Sequence, residues 1–264
     1  MSIEKKELKK HIKSTLNFEI LDSIDSTNLY IKRNLSELDD GFFCVTLNQN
    51  AGIGRNGRVW QANEGTCLAL SILKKTDTKD FQVSQSSILM GFCVQKTLKT
   101  LFCDADFKIK WPNDILANGK KICGILGQSV ISADGVSLVL GAGINLSQSE
   151  DDFLQAGLTH AASLKMISKE KIEIEKIISG INNLFFESFE ILKEAEDLSP
   201  FLEEIRENCI TLSKHIKIAE HENQREAFAL DISRGGHLIV KEADGRISEI
   251  SGGEVSIRAL DGYA

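Results

Sequence analysis

Apolar and polar positions recur with two different periods along the chain, and the change of period marks its parts. Residues 4–14 predict a short charged helix. Residues 18–24 predict a strand, after which Ser26-Thr27-Asn28 offers helix N-cap chemistry ahead of residues 29–38. A further strand is expected at 42–48. The nearly unbroken apolar run at 67–75 predicts a strand covered on both faces. Residues 84–102 read as a buried helix. Strands are expected at 107–111, 114–117, 120–126 and 136–146, with Asn118-Gly119 as a two-residue hairpin signal between two of them. Apolar residues at 174, 177, 178, 181, 184, 185, 189 and 192 keep helical spacing, so a long amphipathic helix over 169–194 should lie on the sheet. Ser199 and Pro200 predict the cap and first position of another helix.

Two stretches carry no such periodicity, 49–66 and 147–158, and both are expected to be loops. The first holds four glycines and two arginines. Long loops inside compact domains are commonly functional. Beyond Thr211 short strands alternate with glycine turns, at 216–219, 225–232, 237–242, 246–250 and 254–260. That texture predicts a small β-barrel or sandwich. A boundary near 210 divides the chain into residues 1–210 and 211–264.

Composition changes this picture little. The 264 residues are 42% hydrophobic and 26% charged, a globular balance that excludes a disordered or collagen-like chain. The net charge of −7 argues against a general binder of nucleic acid or membrane surfaces, but leaves room for a local basic loop. No stretch approaches the ~20 apolar residues of a membrane span. The charged N-terminus lacks the apolar centre of a signal peptide. Cysteines 44, 67, 93, 103, 123 and 209 form no CxxC and read as free thiols of a reducing cytoplasm. Histidines 11, 160, 215, 221 and 237 have no structural-metal spacing, so no protein-built metal cage is expected.

Four constellations could carry chemistry. Gly52-Ile53-Gly54-Arg55-Asn56-Gly57-Arg58, followed by Trp60, combines exposed backbone N–H groups with planar guanidinium forks. It is neither a Walker loop nor a dinucleotide fingerprint. An anion-holding loop and a plain surface loop with two solvated arginines both fit it. Lys110-Trp111-Pro112-Asn113-Asp114 sets Lys, Asn and Asp around a corner stiffened by proline, or is simply a turn with Trp111 on the core. In Lys120-Lys121-Ile122-Cys123-Gly124-Ile125-Leu126 a lysine enters an apolar strand, which is unusual unless it meets an anion. Lys120 reads as a solvated hairpin residue. Gly141-Ala142-Gly143-Ile144-Asn145 places two glycines in an apolar strand, a sign of close approach by a ligand or of a kink. Asn145 could read a purine edge.

Taken in order, these runs and the C-terminal Gly-Gly-Glu-Val-Ser-Ile-Arg (252–258) resemble the biotin–protein ligases over residues 18–264. The resemblance implies an α/β (α+β) fold, with a mixed, mostly antiparallel sheet backed by helices and a small SH3-like C-terminal barrel. It implies ATP-dependent formation of biotinyl-5′-AMP and transfer of biotin to a lysine of a biotin carboxyl carrier domain. On that resemblance Ser26, Thr27, Asn28 and Gln49 would hold biotin. Gly52, Ile53, Gly54 and Arg55 would wrap it, and Gly124, Leu126, Gly141 and Ala142 would wall its pocket. Lys121, Arg55 and Lys110 are the implied catalytic cations. Arg55, Arg58, Trp60, Lys110, Asn113, Asp114 and Asn145 would face ATP or the adenylate, with Mg²⁺ near Asp114. Residues 147–158 would close over the adenylate.

Two positions depart from the family pattern. Ile53 stands where an arginine is usual, which implies a looser hold on the adenylate. Gly127-Gln128 stands where an aliphatic residue and a glutamate are usual. About 17 residues precede the first core strand, too few for a helix-turn-helix domain, so a ligase without direct repressor function is expected. A homodimer is compatible with the resemblance. The rival readings are a lipoate or octanoate ligase or transferase of the same fold and a non-catalytic sensor of biotin or nucleotide.

Overall fold

The computed structural model describes residues 1–12, 17–60, 63–76, 83–132, 135–220, 223–253, 255–259 and 263. Residues 13–14 of the first expected helix, 61–62 of the glycine-rich stretch, His221, and 254 and 260 of the last expected strand lie outside the described residues. The strands are β1 (Phe18–Ile20), β2 (Phe43–Thr46), β3 (Gly52–Ile53), β4 (Val59–Trp60), β5 (Cys67–Thr76), β6 (Phe107–Lys110) and β7 (Asp114–Ala117). They continue as β8 (Lys120–Ser132), β9 (Gly135–Asn145), β10 (Lys214–Glu220), β11 (Asn223–Ile232), β12 (Leu238–Glu242), β13 (Ile247–Ile250) and β14 (Val255–Ala259). The helices are α1 (Lys5–His11), α2 (Thr27–Arg33), α3 (Val83–Leu101), α4 (Glu150–Gln155), α5 (Leu164–Ile167), α6 (Ile174–Ala195) and α7 (Leu202–Glu207).

Seven strands form the main sheet in the order β1-β2-β5-β9-β8-β7-β6. β1 and β2 are parallel, and the other neighbours are antiparallel. The expected mixed, mostly antiparallel sheet is present. Asn118 and Gly119 take φ of 49° and 80° between β7 and β8, the left-handed pair that a tight hairpin needs. Helix α3 packs on one face of the sheet with α6 alongside it. The expected stripe of α6 is buried at Ile174, Ile177, Ile178, Ile181, Phe185, Phe189 and Leu192. Helix α2 lies on the other face, over a smaller cluster of Ile31, Phe42, Cys44, Leu73 and Val139.

A five-stranded antiparallel sheet follows, in the order β13-β12-β11-β10-β14. Its inward residues, Ile216, Ile218, Ala229, Leu238, Val240 and Ile257, join the same apolar cluster as the main sheet. The core is therefore continuous between the two sheets. All six cysteines are free, and only Cys103 is exposed.

Several elements differ from expectation for local reasons. The 49–66 stretch contains a hairpin, β3 against β4, because Asn56 and Gly57 take φ of 56° and 69° at its tip. The 147–158 stretch contains α4, started by a reciprocal capping box between Ser149 and Asp152 with Glu150 and Asp151 in its first turn. Ser199 does not cap α7. Its N–H is held by Asp197 Oδ1 at 2.8 Å, and the helix begins only at Leu202. α2 stops at Arg33, where the Asn34 side chain donates to Tyr30 O at 2.8 Å. The short helix α5 is an addition.

Candidate active site

Alternation along the sheet makes a floor of small residues. On β9, Leu140, Ala142 and Ile144 belong to the core, so Gly141 and Gly143 face the side of α2. On β8, Cys123 and Ile125 are core, which leaves Gly124 and Leu126 on that same side. Gly124 and Gly143 are cross-strand partners. A methyl group on Gly143 would lie 2.7 Å from Trp60 Cε2, and one on Gly124 would lie 3.0 Å from Trp60 Cζ3. The indole of β4 thus rests on a bare patch of sheet, its N–H donating to Cys67 Sγ at 3.3 Å.

The first turn of α2 sits beside this floor and is buried at Ser26, Thr27 and Asn28. Ser26 Oγ accepts from the Leu29 N–H and starts the helix. The Thr27 N–H and hydroxyl both donate to Gln49 Oε1, at 2.9 and 3.2 Å. Ser71 Oγ lies 2.7 Å from Thr27 Oγ1 and 2.6 Å from Asn28 Oδ1. Asn28 Nδ2 donates to Leu126 O at 3.2 Å and to Gln128 Oε1 at 3.3 Å. Gln128 therefore helps to hold the Asn28 amide. These bonds orient a small polar cluster at one end of the floor.

The other end is cationic. Lys121 Nζ lies 2.6 Å from Asp114 Oδ1. Burial pushes the Asp114 carboxyl up, but attraction to Lys121 and Lys110 outweighs it, and the group stays below the usual carboxylate range. Lys110, only 4% exposed, donates to Ile257 O at 3.0 Å. Burial, opposed by Asp114 and reinforced by Arg258, Lys121 and Arg55, lowers its pKa to about 8. Arg55 reaches from the β3–β4 turn to Asn113 Oδ1 at 2.7 Å and to the carbonyls of Gly252, Gly253 and Val255, the last two at 2.6 and 2.9 Å. Asn113 in turn donates to Ile125 O at 3.1 Å. Trp111 anchors this corner, 1% exposed, with its indole N–H on Gly236 O at 3.0 Å. Both sequence readings of the corner hold together: a packed tryptophan beneath, and polar groups displayed above.

The two ends are halves of one cavity of about 270 Å³. Its described lining carries Arg55, Arg58, Lys110, Lys121 and Arg258 against a single carboxylate, Asp114. An acidic chain has thus gathered five cations at one hollow. Such a site accepts a ligand with a neutral polar end and an anionic end, and can draw a second anion beside the first.

The biotin/lipoate A/B protein ligase family model matches residues 20–145. Bifunctional ligase/repressor BirA of Salmonella typhimurium is 29% identical over 248 residues, 93% of this chain and 75% of that protein. Biotin--[acetyl-CoA-carboxylase] ligase of Paracoccus denitrificans is 30% identical over 158 residues, 58% of this chain and 65% of that protein. Among solved structures, biotin protein ligase from Aquifex aeolicus in complex with biotin and ATP superposes with a TM-score of 0.78 at 27% identity, covering 92% of this chain and 99% of that one. Over residues 20–145 the chain is similar to the biotin/lipoate A/B protein ligase family.

Of the single residues given a role by the resemblance to the biotin–protein ligases, all line this cavity except Gly52, and of the 147–158 segment Phe153 and Leu158 line it. Gly52 lies behind it, where a Cβ would come within 2.5 Å of Gln49 Nε2. Asn145 lines the cavity with its amide engaged by the protein, donating to Ala162 O and accepting from Gln148 Nε2, both at 3.0 Å. Ile53 is 40% exposed on the hairpin.

Sequence reasoning missed four residues in or beside this cavity. Ser71 supplies the hydroxyl between Thr27 and Asn28. Arg258 was visible inside the C-terminal motif, though nothing local pointed it at the cavity. His160 and Tyr263, stacked on each other with centroids 4.0 Å apart, carry no sequence signal and are brought in by the tertiary fold.

Proposed function

We propose that this chain is a biotin–protein ligase, an ATP-dependent enzyme that activates biotin as biotinyl-5′-AMP and transfers it to a lysine of a biotin carboxyl carrier domain. The observation that carries the assignment of residues is the convergence of Arg55, Lys110 and Lys121 on one cavity beside the α2 polar cluster. In the first step a biotin carboxylate oxygen attacks the α-phosphorus of ATP, a P–O bond forms, and pyrophosphate leaves with the electrons of the bond broken. In the second, the carrier amine attacks the acyl carbon and loses a proton, and AMP departs. Both reactants of the first step are anions, so fixed cations lower the cost of bringing them together and of the charge on the phosphoryl oxygens.

The polar cluster of Ser26, Thr27, Asn28 and Gln49 suits the neutral ring end of biotin, and Gly54, Gly124, Leu126, Gly141 and Ala142 wall its path. Lys121 stands at the junction where carboxylate and phosphate meet. Lys110, Arg55 and Arg58 face the phosphates, Trp60 covers the join, and Asn113, Asp114 and Asn145 shape the adenylate side. An isoleucine at position 53 removes one guanidinium from the wrapping hairpin, which loosens the hold on the adenylate. The donor set fits a Mg²⁺ held mainly by phosphate oxygens, because Asp114 is the one carboxylate of the described lining and its Oδ1 is paired with Lys121. Mg²⁺ supplies charge neutralisation of the triphosphate when bound. Six free thiols suit a reducing compartment, the cytoplasm.

Incubation with ATP, Mg²⁺, biotin and a carrier domain should add the mass of biotin to the carrier. Lys121→Ala should reduce that rate at least about 100-fold, as expected for loss of a fixed transition-state charge. A carrier labelled equally well by Lys121→Ala would remove Lys121 from the mechanism.

A further inference from the structure

Tyr263 lies beyond the last strand, and its ring sits in the cationic half of the cavity. Its hydroxyl donates to Asp114 Oδ2. Its ring stacks on His160 at 4.0 Å and 20°. Lys110 Nζ lies 4.4 Å from the ring centroid, and the Arg258 guanidinium lies 4.8 Å from it. One neutral side chain therefore engages four groups of this half at once. None of these four contacts involves Ser26, Thr27, Gln49 or Gly141 of the polar end.

The chemistry of these contacts is that of a substitute. An aromatic face offers Lys110 and Arg258 its quadrupole where a phosphate would offer full charge. The hydroxyl occupies the Asp114 oxygen that Lys121 leaves open. A phosphate that pairs with Lys110 and Arg258 competes with the ring for them. A triphosphate outcompetes a phenol for those cations, but only after the stacking, the cation–π contacts and the hydroxyl bond have been given up.

We propose that Tyr263 is an internal stopper of the nucleotide half, seated on the cations when no nucleotide is present and displaced when ATP enters. It rests on the ligase reading above. None of these contacts reaches the polar half, so biotin binds without moving Tyr263, whereas ATP affinity includes the cost of lifting the ring.

Biotin-dependent ATP–pyrophosphate exchange by the full chain, with Tyr263→Ala and Tyr263→Phe, tests this. Tyr263→Ala should lower KM for ATP about fivefold, the scale of the lost stacking and cation–π contacts. Tyr263→Phe, which keeps the ring and loses the hydroxyl, should fall between it and wild type. KM for biotin should change far less than KM for ATP. An unchanged or raised KM for ATP in Tyr263→Ala overturns the stopper, the raised value meaning that the ring builds the nucleotide site. Failure of exchange in the wild type overturns the ligase reading instead. Calorimetric titration with ATP and Mg²⁺ then decides the stopper on its own, tighter binding by Tyr263→Ala supporting it and equal or weaker binding ending it.

Discussion

Lys110 is a lysine whose charge the fold holds at a disadvantage. Burial lowers its pKa to about 8, so its charge is present below that pH and lost above it. In the ligand-free protein the sign for stability follows: between about 8 and the ordinary lysine value the unfolded chain binds more protons, so this group favours folding more as pH rises. For phosphate binding the sign is opposite. ATP affinity should weaken as pH rises through about 8, and in Lys110→Arg that alkaline limb should be absent, because a guanidinium stays charged. Calorimetric titration at pH 7 and 9 checks it, and identical pH dependence in the two proteins would exclude Lys110 as the titrating group. Tyr263 does not compete for this role, since burial, with Asp114 beside it, pushes its hydroxyl far upward.

At the scale of elements, the β9 floor and the first turn of α2 act as one unit. A methyl group on Gly141 would stand 2.3 Å from Asn28 Oδ1, so Gly141→Ala should turn the Asn28 amide away from Ser71, Leu126 and Gln128. Biotin binding should fall at least about tenfold, with the melting temperature lowered by only a few degrees, since one displaced buried amide is worth roughly 1–3 kcal/mol. Unaltered biotin affinity in isothermal titration would separate this contact from the ligand. Much of the element pattern was legible in the chain. The stripe of α6, the Asn118-Gly119 hairpin and the run of β5 each follow from local periodicity or turn chemistry. The β3–β4 hairpin was hidden because Asn56-Gly57 is embedded among other glycines. Helix α4 was hidden because a six-residue helix has little room for periodicity and rests on its capping box. His160 and Tyr263 were illegible for another reason: their place depends on contacts between segments about 100 residues apart.

At the scale of the molecule, Arg55 joins the β3–β4 hairpin to the segment entering β14. Three carbonyls of residues 252–255 and Asn113 share its guanidinium. Lysine has a single nitrogen and cannot span them. Arg55→Lys should therefore free the hairpin, and limited trypsin digestion should cut after Arg58 several-fold faster than in wild type. Equal cutting rates would mean that the hairpin is held by β3–β4 pairing alone. The same carbonyls, with Ile257 O on Lys110, make the second sheet part of the cavity rather than an appendage.

The five cations facing one carboxylate inside a chain of net charge −7 also govern how reactants arrive. At a distance an anion meets repulsion from the whole body, and only within roughly one Debye length, ~8 Å at physiological ionic strength, does the hollow's own field prevail. Added salt therefore pulls in two directions: it eases the approach by shielding the outer negative charge, and it loosens the grip once the anion is seated. Capture and retention of ATP thus have separate ionic-strength dependences of opposite sign.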